Sequence, residues 1–80
     1  MVVKAGGLDA VVFPYVWPDG RLSWCGQCVE QDIGSQGDTA QEAADRLDAV
    51  VEAERAYGRF DEIAPPPAWV AEMYQQMRAG

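Results

Sequence analysis

The stretch Ala10-Val11-Val12-Phe13-Pro14-Tyr15-Val16-Trp17-Pro18-Asp19-Gly20-Arg21-Leu22-Ser23-Trp24-Cys25-Gly26-Gln27-Cys28-Val29 decides the fold. Its first part, Ala10 to Trp17, is β-branched and aromatic and predicts a strand. Val11, Phe13, Tyr15 and Trp17 share one face at period two. Pro14 has no N–H for a ladder, so this strand is expected at an edge or at a bulge. Pro18-Asp19-Gly20 is a turn, because Pro presets φ and Gly tolerates positive φ. The chain then returns as Arg21 to Val29. Leu22, Trp24, Gly26 and Cys28 fall on one face, and Ser23, Cys25, Gln27 and Val29 on the other. The pair reads as an antiparallel hairpin with one clearly apolar face.

Outward from the hairpin, residues 1–9 read as a short leader. A turn near Glu30-Gln31-Asp32 precedes a short third strand, Ile33 to Gln36. Gly37-Asp38-Thr39 ends the sheet. Thr39 with Glu42 forms a capping box, and Asp38 and Glu42 suit the positive end of the helix dipole. Ala40, Ala43, Ala44, Leu47, Val50 and Val51 recur at helical spacing. Gln41, Asp45, Asp48, Glu52 and Arg55 take the wet side, and Glu42 with Arg46 makes an i, i+4 pair. Gly58 is a natural stop. The helix is expected to run ~27 Å. Pro65-Pro66-Pro67 is a stiff extended spacer. A last helix is expected from Ala68 to Met77, with Trp69, Val70, Met73, Tyr74 and Met77 on one side. That stripe has two readings, a face folded on its own sheet or helix and a partner surface rich in interface residues.

Composition bounds the function. The 80 residues carry 13 Asp+Glu, 6 Lys+Arg and no His, for a net charge of −7. One domain fits this length, 1–80, with the sheet and main helix in 1–60 and the spacer and last helix in 61–80. The absence of His removes the usual general base, the commonest metal ligand and every Ser-His or Cys-His pair. The acidity argues against nucleic-acid binding, which needs clustered Lys/Arg. No apolar run approaches a membrane span, and no signal peptide is visible. Two Cys without such a signal indicate a reducing, cytoplasmic setting.

Cys25-Gly26-Gln27-Cys28 is the motif that invites a chemical reading. A redox pair wants its first thiol at a helix N-terminus. Here both lie in a strand, and a spacing of three sends them to opposite faces, badly placed for a disulfide or a shared metal. No nucleophile–base pair can be written, and no carboxylates converge around a tight glycine loop. No enzyme activity, metal or cofactor is expected.

The run Trp24 to Ala43 (a strand ending Cys28-Val29-Glu30-Gln31-Asp32, then Ser35-Gln36-Gly37-Asp38-Thr39, then Glu42-Ala43 opening a helix) resembles the HicB-like antitoxin domain. The likeness spans roughly residues 11–57 and continues weakly through Leu47, Val50 and Glu54. It implies a β-β-β-α fold with a three-stranded antiparallel sheet against one long helix, and the short C-terminal helix expected from Ala68 to Met77 completes an α+β chain. The likeness also implies a toxin–antitoxin partner, a small basic HicA-type RNA-cleaving toxin neutralised by steric occlusion. Members of that family usually append an operator-binding segment. Residues 58–80 carry three prolines and only Arg59 and Arg78 as cations, so no DNA-reading module is expected. The alternative is an orphan module of phage or mobile-element origin that binds and modulates a host protein. Either way the expected partner is a protein, and a homodimer or higher oligomer is expected. The expected partner-binding residues are the acids Glu30, Asp32, Asp45, Asp48 and Glu52, with Trp69, Met73 and Tyr74 as apolar anchors.

Overall fold

The computed structural model describes all residues, 1–80. It is an α+β fold with strands β1 (Val2–Ala5), β2 (Leu8–Val16), β3 (Leu22–Cys28) and β4 (Gly34–Gly37). Helix α1 (Ala40–Ala56), a 3₁₀ turn (Phe60–Glu62) and helix α2 (Ala68–Ala79) follow. The sheet is antiparallel throughout, in the order β1-β2-β3-β4. It therefore has four strands where the sequence reading expected three. Residues 1–9 are not a leader: they supply β1 and the start of β2. The turn between them is Gly6-Gly7, with φ of 54° and 85°. Two successive positive-φ residues make the hairpin turn whose twist matches its strands.

The hairpin register pairs Val12 with Gly26, Pro14 with Trp24 and Val16 with Leu22. Ala10, Val12, Gly26 and Cys28 thus share one face, while Val11, Phe13, Cys25 and Gln27 share the other. The apolar residues of the two strands point to opposite sides, so the sheet has two faces to cover rather than one. α1 covers the first. Leu47 and Val51 pack there with Ala5, Ala10, Cys28 and Ile33. α2 lies across the second, where Val70 and Tyr74 pack on Val11, flanked by Phe13, Val29, Met73 and Met77. The last helix therefore folds back on its own sheet.

Pro14 sits in a strand with neighbours on both sides, yet no ladder bond is lost. Val12 bonds Met1 through both its N–H and its C=O, at 2.8 and 2.6 Å. Two residues on, Pro14 presents its nitrogen to the same side, where β1 has already ended. Over its last part β2 is locally an edge, as the proline demanded.

α1 starts as its capping residues require. The Thr39 hydroxyl accepts from the Glu42 N–H at 3.1 Å, and the Glu42 carboxylate reaches back to the Asp38 N–H at 3.4 Å. The helix lies so close to β4 that a Cβ on Gly37 would stand 2.7 Å from the Ala43 nitrogen. The hairpin loop closes through Gly20 N–H to Trp17 C=O at 2.9 Å, with Gly20 at φ 88°. No helix is long and apolar enough to cross a membrane.

Candidate functional site

α2 packs on β1 and β2 but leaves β3 and β4 uncovered on that face. The open half is a groove of about 620 Å³. Phe13, Tyr15 and Trp69 form its aromatic side. Cys25, Gln27 and Gln36 form its floor, and Arg46 closes its outer rim. Each element has a simple reason to be there. Phe13 and Tyr15 alternate onto this face of β2, and Cys25 and Gln27 onto this face of β3. The β3–β4 register brings Gln36 beside Cys25 and Gly34 beside Gln27.

The aromatic side is partly built and partly open. Phe13 meets Trp69 edge to face, with centroids 5.8 Å apart and rings at 87°. This contact fixes the first turn of α2 against the sheet and is the favourable aromatic geometry. Trp69 nevertheless keeps 47% of its surface exposed and Tyr15 43%. Tyr15 also meets Trp17 edge to face at 5.1 Å.

The floor is polar. The Gln27 amide donates to the Asp32 carboxylate at 3.1 Å, which ties the floor to Asp32 just outside the lining. Arg46 wraps the β4 edge, donating to the Gln36 carbonyl at 2.9 Å and pairing with Glu42 at 2.7 Å. Ser35 and Gly37 direct their backbone groups to β3, so Gly34 and Gln36 direct theirs to the free edge. Arg46 occupies one of those outward groups and leaves the other three.

The two thiols are far from a shared chemistry. Cys28 is buried in the α1-side core, and burial pushes its thiol up to about 11, against a smaller pull from Arg55. Cys25 lies on the other face in the groove floor, and burial raises its thiol too. Both are free. No group of three or more His, Cys, Asp or Glu is placed to hold a metal ion.

The residues expected to bind a partner do not converge on one surface. Asp45, Asp48 and Glu52 are exposed on α1, behind the opposite face of the sheet from Trp69, Met73 and Tyr74 on α2. Asp48 accepts from the Gly6 N–H at 2.6 Å, Asp45 from the Gln41 amide at 2.8 Å, and Glu52 pairs with Arg55 at 3.4 Å. Tyr74 is buried beside Val70, and Met73 is half-buried. These two anchor α2 to its own sheet, whereas Trp69 is the exposed aromatic residue of that helix. Glu30 and Asp32 are exposed in the β3–β4 connection. Of the eight, only Trp69 lines the groove, and Asp32 adjoins it through the Gln27 amide. The sequence reading missed Phe13, Tyr15, Gln27, Gln36 and Arg46. Alternation was a usable signal for the first three, but the pairing register and the position of α2 were needed to bring them together.

A second polar cluster lies at the far end of α2. Lys4 and Asp9 are cross-strand partners, with Nζ 2.5 Å from the carboxylate. Their hydrogen bond raises the Lys4 amine, and holds the Asp9 carboxyl below its ordinary value. Tyr74 and Arg78 add smaller pulls on Asp9 in the same direction.

Set against family models, curated proteins and solved structures, the chain matches none.

Proposed function

We infer that this protein is a non-catalytic binding module that neutralises a small basic protein by covering its surface. The HicB-like resemblance makes a HicA-type RNA-cleaving toxin the first partner to try. The observation that carries the reading is the distribution of charge. Of 13 acidic residues, only Asp9, Glu42 and Glu52 hold a cation of the chain within ion-pair distance, and the other ten do not. Asp45 and Asp48 stand among them, one helical turn apart on the exposed side of α1. Unpaired surface carboxylates steer a basic partner and speed its association, and they set which partner is accepted.

The test is co-expression with a small basic protein encoded by the adjacent gene. Growth arrest by that protein is relieved by this chain, and relief weakens in the double variant Asp45→Asn, Asp48→Asn. These substitutions keep size and hydrogen-bond acceptors while removing charge. A neighbour that is absent, or whose toxicity is unaffected, overturns the reading. A homodimer belongs to the same proposal. The β1 edge carries the outward backbone groups of Val2 and Lys4, while Arg46 partly closes β4. A mass near twice 8.7 kDa by light scattering supports the dimer, and a monomer mass at all concentrations removes it.

A further inference from the structure

We propose that the groove between α2 and the β4 edge binds an extended, basic segment of the partner protein, laid along β4 with one Arg or Lys side chain against the open faces of Tyr15 and Trp69. The proposal rests on the reading above that the partner is basic, and it names the part of the molecule that grips it.

Three observations converge on this occupant. The first is the edge. Gly34 offers an outward N–H and C=O, and Gln36 an outward N–H, on a strand with no further neighbour. An extended segment satisfies such groups by adding a strand, and pockets for alternate side chains then select its sequence. The second is the shape of the floor. Gln27 and Gln36 supply amides, and Gly34 leaves the approach to the edge free of a side chain.

The third is charge. Arginines of this chain stack on rings at three places: Arg21 over Trp17, Arg55 over Phe60 and Arg78 over Tyr74, at 5.1 to 5.4 Å. Tyr15 and Trp69, both more than two-fifths exposed, carry no such cation. An aromatic face in a protein of net charge −7 attracts a cation, both through the ring quadrupole and through the surrounding field. Asp32, outside the lining but bonded to the Gln27 amide of the floor, adds a negative charge beside the groove. Arg46 does not oppose this, because Glu42 neutralises it at 2.7 Å.

The experiment is an amide-resonance titration of the full chain with a capped five-residue peptide, one central arginine flanked by valines. Counterparts with glutamate or glutamine at the centre serve as controls. The expected result is that the arginine peptide shifts Cys25, Gln27, Gly34, Gln36 and the Trp69 indole, and that the glutamate peptide does not. Trp69→Ala, at an exposed position, weakens the binding about ten-fold, and Tyr15→Ala weakens it as well. Equal shifts by all three peptides, or shifts confined to α1, overturn the proposal. So does a change at Gly34 and Gln36 on raising the protein concentration without peptide, which assigns the edge to a second copy. If the basic neighbour binds but its shifts map to α1, the groove falls and the function stands. If the arginine peptide binds the groove while no basic protein is neutralised, the reverse holds.

Discussion

Val70→Ala tests whether α2 belongs to the folded core of a single chain. Val70 is fully buried, packed with Tyr74 on Val11 of β2. The substitution removes two carbons from that contact. At about 0.8 kcal/mol per buried methylene the transfer loss is about 1.6 kcal/mol. The small cavity left behind brings the expected cost to about 2 kcal/mol. A chain of 80 residues has a total stability of about 4–12 kcal/mol, so this is a large share. For a domain of this size it corresponds to a fall in melting temperature of about 8–16 °C. Circular dichroism at 222 nm, followed through heating and urea unfolding, measures it. The urea m-value stays unchanged, because the same surface is exposed on unfolding. A loss below about 0.5 kcal/mol, the range of ordinary surface substitutions, refutes the packing of Val70 on Val11. A loss that grows on dilution refutes it differently, by placing α2 across an interface.

Other outcomes follow from particular contacts. Gly37→Ala sets a Cβ 2.7 Å from the Ala43 nitrogen and 2.9 Å from the Glu42 Cβ, where helix backbone cannot yield as a side chain would. It lowers the urea midpoint by the equivalent of about 1–3 kcal/mol. Thiol labelling at pH 8 modifies Cys25 slowly and leaves Cys28 untouched until the protein unfolds, since burial raises both thiols and carries Cys28 to about 11. Mass spectrometry of the labelled peptides reads this directly, and fast labelling of Cys28 contradicts it. The Lys4–Asp9 pair fixes a sign for acid titration. Asp9 is held below its ordinary 3.8 by the Lys4 hydrogen bond, so its contribution is present above that pH and fades as the pH falls through the folded value. Lys4→Met flattens that part of the stability–pH curve; an unchanged curve rejects the pair.

Much of the fold was legible because local chemistry and tertiary packing agree. The Thr39 and Glu42 cap, the Ala43–Leu47–Val51 spacing and the Pro18-Asp19-Gly20 turn each act within a few residues, and each is found in place. β1 was missed for a physical reason. Four residues carry little period-two signal, and the decisive cue was Gly6-Gly7, a dipeptide suited to a two-residue hairpin turn. The two-sided sheet was harder to see. Val11 and Phe13 lie on one face of their strand and Trp24 and Cys28 on one face of theirs, and only the register shows that these faces are opposite. The same gap hid the groove. Alternation places Cys25 and Gln27 together, but nothing local says that α2 stops short of β3 and leaves them uncovered. Tyr74 shows the limit of reading an aromatic stripe alone. Its neighbour Trp69 on the same helix remains exposed, and which of the two is buried depends on where α2 crosses β2.

The most direct measurement is calorimetric titration of the full chain, at 50 and 200 mM salt, with whatever small basic protein the adjacent gene encodes. The charge distribution predicts measurable binding whose affinity falls as salt screens the unpaired carboxylates. No detectable heat or complex at micromolar concentrations, or an affinity indifferent to salt, would contradict it.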